Sequence, residues 1–165
     1  MSDTPIVRPT VRVLVIDERD AVLLFRHEGA FSAGDMQGLA LWAPPGGGLK
    51  EDESYEAAAA RELWEETGLE DAVIGPCVWL RDSVFTWDGR VYDARERYHV
   101  CRAPSFEVDT ANQEEAERRV MTAHRWWRAE EIEASSELFV PRDLALLLLL
   151  LLRGEYPDAP VVVGL

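Results

Sequence analysis

The chain has 165 residues, 47% of them hydrophobic, and carries 31 acidic against 17 basic side chains for a formal charge of −14. That length suits one domain, residues 1–165, with a true core, while the acidity disfavours nucleic acid or an anionic membrane as a partner. The start, MSDTPIVRPT, lacks the basic stretch and apolar run of a signal peptide, so the expected location is the cytoplasm.

In chain order, Val11 to Ile16 and Ala21 to Arg26 read as strands joined by a turn at Asp17 to Asp20. Glu28 to Gly38 is polar and glycine-containing, a loop placed to cover a site. Leu41 to Ala43 lead into Pro44-Pro45 and three glycines, where prolines fix an extended approach and glycines let backbone come close to a ligand. A helix follows to about Thr67, capped by Asp52, Glu53 or Ser54 and stopped by Gly68 in the left-handed conformation. Val73 to Val84 is strand-like, Asp88-Gly89 is a hairpin turn signal, and Val91 to Arg102 is the returning strand. Thr110 to Arg119 is a polar loop or short helix, His124 to Arg128 a strand, and Glu130 to Ala134 a short helical piece. Pro141 opens a last helix ending near Gly154. Its run Leu144 to Leu152 is wholly apolar but too short to span a bilayer, and reads as buried. The tail EYPDAPVVVGL is expected to order against the body or at a subunit contact of a homodimer.

The segment GGLKEDESYEAAAARELWEETGL, residues 47–69, carries the chemistry. At about 100° per residue, Glu62, Glu65 and Glu66 fall within one arc stacked over a single turn. Three carboxylates this close repel unless neutralised, and a hard divalent cation such as Mg²⁺ or Mn²⁺ takes oxygen ligands. A solvated acidic face is the alternative meaning of such a run. Ala58 and Ala59 share the glutamates' arc and leave it low enough to admit a ligand. Arg61 stands at the edge, where it can orient a carboxylate. The opposite arc, Ala57, Ala60, Leu63, Trp64 and Thr67, is expected to face the core.

This stretch resembles the Nudix hydrolase signature, G-x5-E-x7-R-E-U-x-E-E-x-G-U with U a bulky aliphatic residue. Gly47, Glu53, Arg61, Glu62, Leu63, Glu65, Glu66, Gly68 and Leu69 fill every specified position. The resemblance implies an α/β fold, an α/β/α sandwich around a mixed β-sheet. It implies a metal-dependent pyrophosphohydrolase that cleaves a nucleoside diphosphate linked to another moiety, with Mg²⁺ or Mn²⁺ as cofactor. By position, Glu62, Glu65 and Glu66 are the implied metal ligands, with the carbonyl of Gly46 as a further one. Arg61 and Glu53 would pair to hold helix and loop in register. The proton acceptor differs between members, with Glu65 and Glu66 as the candidates on the helix. Some members add a glutamate from a later loop, for which Glu107, Glu114 and Glu115 are candidates, the last two preferred. A phosphate-rich substrate is compatible with so acidic a chain because bound cations invert the local electrostatics.

Arg26, at a strand end entering the loop, is a candidate phosphate-binding residue, with a surface arginine as the competing reading. His27, His99 and His124 lack ligand spacing and read as packing or surface residues. Cys77 and Cys101 have no CxxC partner and read as buried free thiols. Trp64 is expected in the core, and of Trp126 and Trp127, facing opposite ways on a strand, one in the core and the other in a pocket. Ser83 to Trp87 lacks the proline that accompanies ADP-ribose cleavage in the family. The proline- and tryptophan-rich extension of the NADH type and the glycine-loop entry of the dinucleoside polyphosphate type are also missing, so the expected substrate is a nucleoside triphosphate or another small nucleotide or nucleotide-sugar. A catalytically silent nucleotide sensor of the same fold is the alternative, and such members lose glutamates that this chain keeps.

Overall fold

The computed structural model describes residues 4–29, 39–87 and 89–164. In chain order the elements are β1 (Ile6–Ile16), β2 (Ala21–His27), β3 (Leu41–Ala43), β4 (Gly46–Gly48), α1 (Tyr55–Thr67), β5 (Cys77–Trp87) and β6 (Arg90–Arg102). They continue through α2 (Glu115–Val120), β7 (Met121–Arg128), α3 (Ala129–Ala134), α4 (Leu144–Leu152) and β8 (Val161–Val162). Most of the predicted loop 28–38 lies outside the described residues.

The strands make one mixed sheet in the order β3-β2-β1-β6-β5-β8, with β7 also on β2 and β4 also on β1. β1 runs parallel to β6, and β5 parallel to β8, while the remaining pairings are antiparallel. Side chains alternate across a strand, so β1 feeds two cores. Val11, Val13 and Val15 pack with Leu23, Phe25 and α1's Ala58, Ala59 and Leu63. Leu14 and Ile16 pack on the other face with Val22, Leu24, Tyr98 and α4's Leu144, Leu148 and Leu151. Helices on both faces give the α/β/α sandwich expected from the sequence. Each fully buried Val or Leu stabilises the fold by about 1.5–3 kcal/mol relative to exposure.

Local chemistry sets the connections. Asp17, almost fully buried, accepts from the amides of Arg19 at 2.9 Å and Ala21 at 3.0 Å and so closes the β1–β2 turn. Ser54 caps α1, its hydroxyl accepting from Ala57 N–H at 3.1 Å. Gly68, at φ 76°, donates its N–H to the carbonyl of Trp64 and ends the helix.

Four expectations are corrected. The helix buries Leu63 and Thr67 as expected, but also Ala58, Ala59, Glu62 and Glu66, so the glutamates' arc faces inward as well. Ala57 is exposed and Trp64 is 45% exposed; Ala58 and Ala59 are small because they pack on β1 and β2, not to admit ligand. The glycine run is not a loop but β4, paired with Thr10, Val11 and Arg12. The strand expected from Val73 begins only at Cys77, because Gly75 and Pro76 hold the chain in an irregular approach. The last helix starts at Leu144, after turns that follow Pro141, and leaves Leu146 and Leu150 outward. The tail orders against the body, with Val163 N–H donating to the carbonyl of Leu80 at 2.8 Å.

Candidate active site

β2 and β4 share one edge of β1. β2 is paired at Ile16↔Val22 and β4 at Thr10 to Arg12, and between them Val13 N–H reaches the carbonyl of Pro45 at 2.8 Å. Glycine is required at 46, where a Cβ would stand 1.9 Å from the carbonyl oxygen of Val11, and at 47 a Cβ would push the Glu62 carboxylate aside, meeting Oε1 at 2.5 Å. The glycines therefore let α1 lie close against this edge.

Arg61 ties helix to loop. Its Nε and Nη2 donate to the two oxygens of Glu53 at 2.8 and 2.9 Å, and Nη2 also to the carbonyl of Gly48 at 3.1 Å. This bidentate pair holds the Glu53 carboxyl down at about 2, chiefly through the hydrogen bond from Arg61. Nη1 of Arg61 reaches Glu62 Oε1 at 3.0 Å and Glu65 Oε2 at 3.3 Å.

Glu62 and Glu66, one turn apart, point to the same place, and Glu117 of α2 meets them there. Ligand oxygens of the three lie within 4.8 Å of one another. Burial is the first cause that pushes all three carboxyls up. For Glu66, raised well above the usual carboxylate range, Glu62 and Glu117 add to it. Glu62 is also raised, with Arg61 opposing and Glu65 adding. Glu117 is pushed up to about 7, with Glu62 the next contributor. One oxygen of Glu66 accepts from Gly46 N–H at 3.0 Å, whereas Glu62 Oε2 is buried with no hydrogen-bond partner. Hard cations bind oxygen at about 2.0–2.6 Å, so opposed ligands stand about 4–5 Å apart. An orphaned buried carboxylate oxygen, a span of that size and an all-oxygen donor set fit a divalent cation.

The structure therefore brings Glu62 and Glu66 together, places Glu65 beside them on Arg61, and seats Gly46 against Glu66. Glu107, Glu114 and Glu115 are exposed: Glu114 precedes α2 and Glu115 pairs with Arg119. Arg26 ion-pairs with Glu28 and lies 3.8 Å from Glu137. Glu117 was not among the sequence candidates. No spacing rule links it to α1; its segment is docked there by Asp109 N–H on the carbonyl of Thr67 (2.9 Å) and Gln113 Nε2 on the carbonyl of Glu66 (3.2 Å). The histidines and cysteines hold no such cluster among the described residues. Both thiols are free, Cys101 buried and Cys77 half-buried. Trp127 is in the core, and Trp126 packs edge-on to Phe106.

Comparison with known proteins identifies the family. The NUDIX domain family matches residues 7–148. A curated relative, an RNA pyrophosphohydrolase of Nitrobacter winogradskyi, is 27% identical over 144 residues, 81% of either chain. The phosphatase NudJ of Escherichia coli strain K12 is 59% identical over 34 residues, which cover 21% of this chain and 22% of that one. Among solved structures, a MutT protein from Methanosarcina mazei superimposes with a TM-score of 0.64 at 22% identity, covering 88% of this chain and 94% of its own. With the family matched over most of its length, the chain belongs to the Nudix family.

Proposed function

We propose that this protein is a Mg²⁺- or Mn²⁺-dependent pyrophosphohydrolase acting on a small nucleoside diphosphate derivative, a nucleoside triphosphate or nucleotide-sugar in the first instance. The observation that carries the reading is the trio of buried Glu62 and Glu66 with half-buried Glu117, three carboxylates of which Arg61 pairs with Glu62, beside a glycine edge. A cation bound there would offset the repulsion, withdraw charge from phosphoryl oxygens and acidify an attacking water.

The chain's own groups supply the rest. Glu62, Glu66 and Glu117 would hold the cation, with the Gly46 carbonyl as a further oxygen. Glu65 stands outside the trio but within its field, raising both Glu62 and Glu117. It is assigned the role of proton acceptor, held in place by Arg61. A P–O bond forms to the water oxygen, the bridging P–O bond breaks, and the leaving phosphate keeps the electron pair while the water proton goes to Glu65. Glu53 acts through Arg61 and positions it. The strongly acidic chain favours a small substrate over RNA, although the Nitrobacter relative is an RNA pyrophosphohydrolase.

The test is a panel of nucleoside triphosphates, dinucleotides, nucleotide-sugars and a 5′-triphosphorylated RNA, each assayed with Mg²⁺ and with EDTA. Turnover of at least one small nucleotide that EDTA abolishes is expected. Equal turnover in EDTA, or turnover of the RNA alone, would overturn the respective part of the reading.

A further inference from the structure

Arg12 sits where β2 and β4 part from the edge of β1, opposite Gly46 in register. Alternation with Leu14 and Ile16 places it on the α4 face of the sheet. Its Nη1 donates to the carbonyl of Pro44 at 3.4 Å, and its Nε lies 3.9 Å from Glu96 Oε2. Both are long beside the ~2.7–2.9 Å of a well-made charged hydrogen bond. Its Nη2 makes no hydrogen bond among the described residues.

Glu96 is already served without it. Its oxygens accept from Arg81 Nη1 at 3.0 Å and from the Tyr98 hydroxyl at 2.7 Å. The Tyr98 phenol is kept well above its usual range, first by burial and then by Glu96, so it remains a neutral donor. Two guanidinium groups thus face one carboxylate, and Arg81 Nε is itself buried without a partner. The cluster has more donors than acceptors and an excess of positive charge; its chemical complement is an anion.

The carboxylate trio adjoins this cluster across the glycine edge. Glu66 holds Gly46 N–H while Arg12 holds the carbonyl of Pro44, two residues earlier. Burial opposes the Arg12 charge, and Glu96 and Tyr98 first, then Glu66 and Glu62, favour it. The neighbouring cations are otherwise engaged: Arg26 pairs with Glu28 and Glu137. His27, pushed down to about 3 by burial and then by Arg12, is neutral at working pH.

We propose that Arg12 receives the substrate's phosphoryl oxygens, so that a diphosphate lies between a cation held by the carboxylate trio and the Arg12 guanidinium. The proposal rests on the hydrolase reading above and names a binding residue for it. Glu96, pinned by Arg81 and Tyr98, keeps the guanidinium from swinging onto Glu62 and Glu66, and its planar fork suits two oxygens of one phosphate.

The probe is inorganic pyrophosphate, titrated calorimetrically into the full chain in Mg²⁺, with Mn²⁺ affinity measured separately by electron paramagnetic resonance. Arg12→Gln leaves the Arg81–Glu96–Tyr98 set intact and so retains the fold. It is expected to weaken pyrophosphate binding about 10–100-fold while Mn²⁺ binds at least as well as to the unaltered chain. Arg12→Lys, which keeps the charge and loses the fork, should fall between. Unchanged pyrophosphate affinity in Arg12→Gln, or a larger loss from Arg26→Gln, would overturn the assignment. Failure of the unaltered chain to bind Mn²⁺ would instead overturn the hydrolase reading, so the two failures are distinct.

Discussion

On the α4 side of the sheet, Glu96 is surrounded by donors: Arg81 at 3.0 Å, the Tyr98 hydroxyl at 2.7 Å and Arg12 at 3.9 Å. On the α1 side, Glu62, Glu66 and Glu117 crowd within 4.8 Å, and Arg61, the cation that touches one of them, is largely committed to Glu53. Both clusters are largely buried, one centred on β6 and the other beside β4, on either side of β1, yet one carries too many donors and the other too many acceptors. A fold under selection for stability alone would pair them or replace them with apolar residues, since buried charges are costly to desolvate. On the function proposed above, a cation on one side and a phosphate anion on the other would complete both at once.

The sharpest break in this comparison comes from Glu66→Gln. It removes charge from the acceptor-rich side only, and both Mn²⁺ binding and turnover should fall, turnover by about 10²–10³-fold. Glu65→Gln should lose turnover while keeping Mn²⁺ affinity within about threefold of the unaltered protein. Parallel loss of metal in both variants would move Glu65 into the ligand set. On the donor-rich side, Glu96→Leu leaves Arg81 buried without its carboxylate, and urea denaturation should show a destabilisation of about 3–5 kcal/mol. A change below about 1 kcal/mol would mean that the Arg81 guanidinium finds water.

That asymmetry was only half legible in the sequence. The spacing of Arg61, Glu62, Glu65 and Glu66 announces the carboxylates because a helix turns i and i+4 to one face. Ser54 and Gly68 mark the helix ends through side-chain capping and left-handed backbone, both local effects. What escaped were consequences of tertiary packing. Periodicity alone cannot say which arc of α1 faces the sheet when alanine occupies both, and Trp64 made the wrong arc look apolar. Gly46 to Gly48 have low strand propensity, and their pairing with β1 uses the backbone closeness that glycine allows at Val11. Glu117 reaches the trio through backbone bonds at Thr67 and Glu66, partners more than 40 residues away in sequence. Nothing in one strand reveals that Arg12, Glu96 and Arg81 share a face until the register of β1, β6 and β5 is known.

A smaller effect separates the clusters by pH. Glu117 titrates near 7 in the folded chain, against about 4.3 when unfolded, and Glu62 and Glu66 shift the same way. The folded state then binds more protons than the unfolded state between those values, so the slope of stability against pH is negative there. In EDTA the melting temperature should fall by a few degrees as pH rises from about 5 to about 7, and Mg²⁺ should abolish the fall. Glu53, held at about 2 by Arg61, acts in the opposite sense: its contribution is present above about 4.3 and lost as pH drops towards 2. A melting temperature in EDTA that rises across the neutral window would show that the trio is solvated and relaxed.

The least disruptive change tests whether α1 is oriented as described. Trp64 is 45% exposed on the outward arc, while Leu63 beside it is fully buried against β1 and β2. Leu63→Ala removes packed methyl groups and should cost about 2–5 kcal/mol. Trp64→Ala exchanges an exposed ring for the best helix former, so the loss of partial burial and the gain in propensity nearly offset, leaving stability within about 0.5 kcal/mol. Mn²⁺ affinity should not move, because Glu62 and Glu66 lie on the inner arc and Trp64 on the outer one. If Trp64→Ala instead destabilised the protein as much as Leu63→Ala, the helix would be rotated by most of a half turn. Glu62 and Glu66 would then face solvent, and the imbalance that calls for a cation would disappear with them.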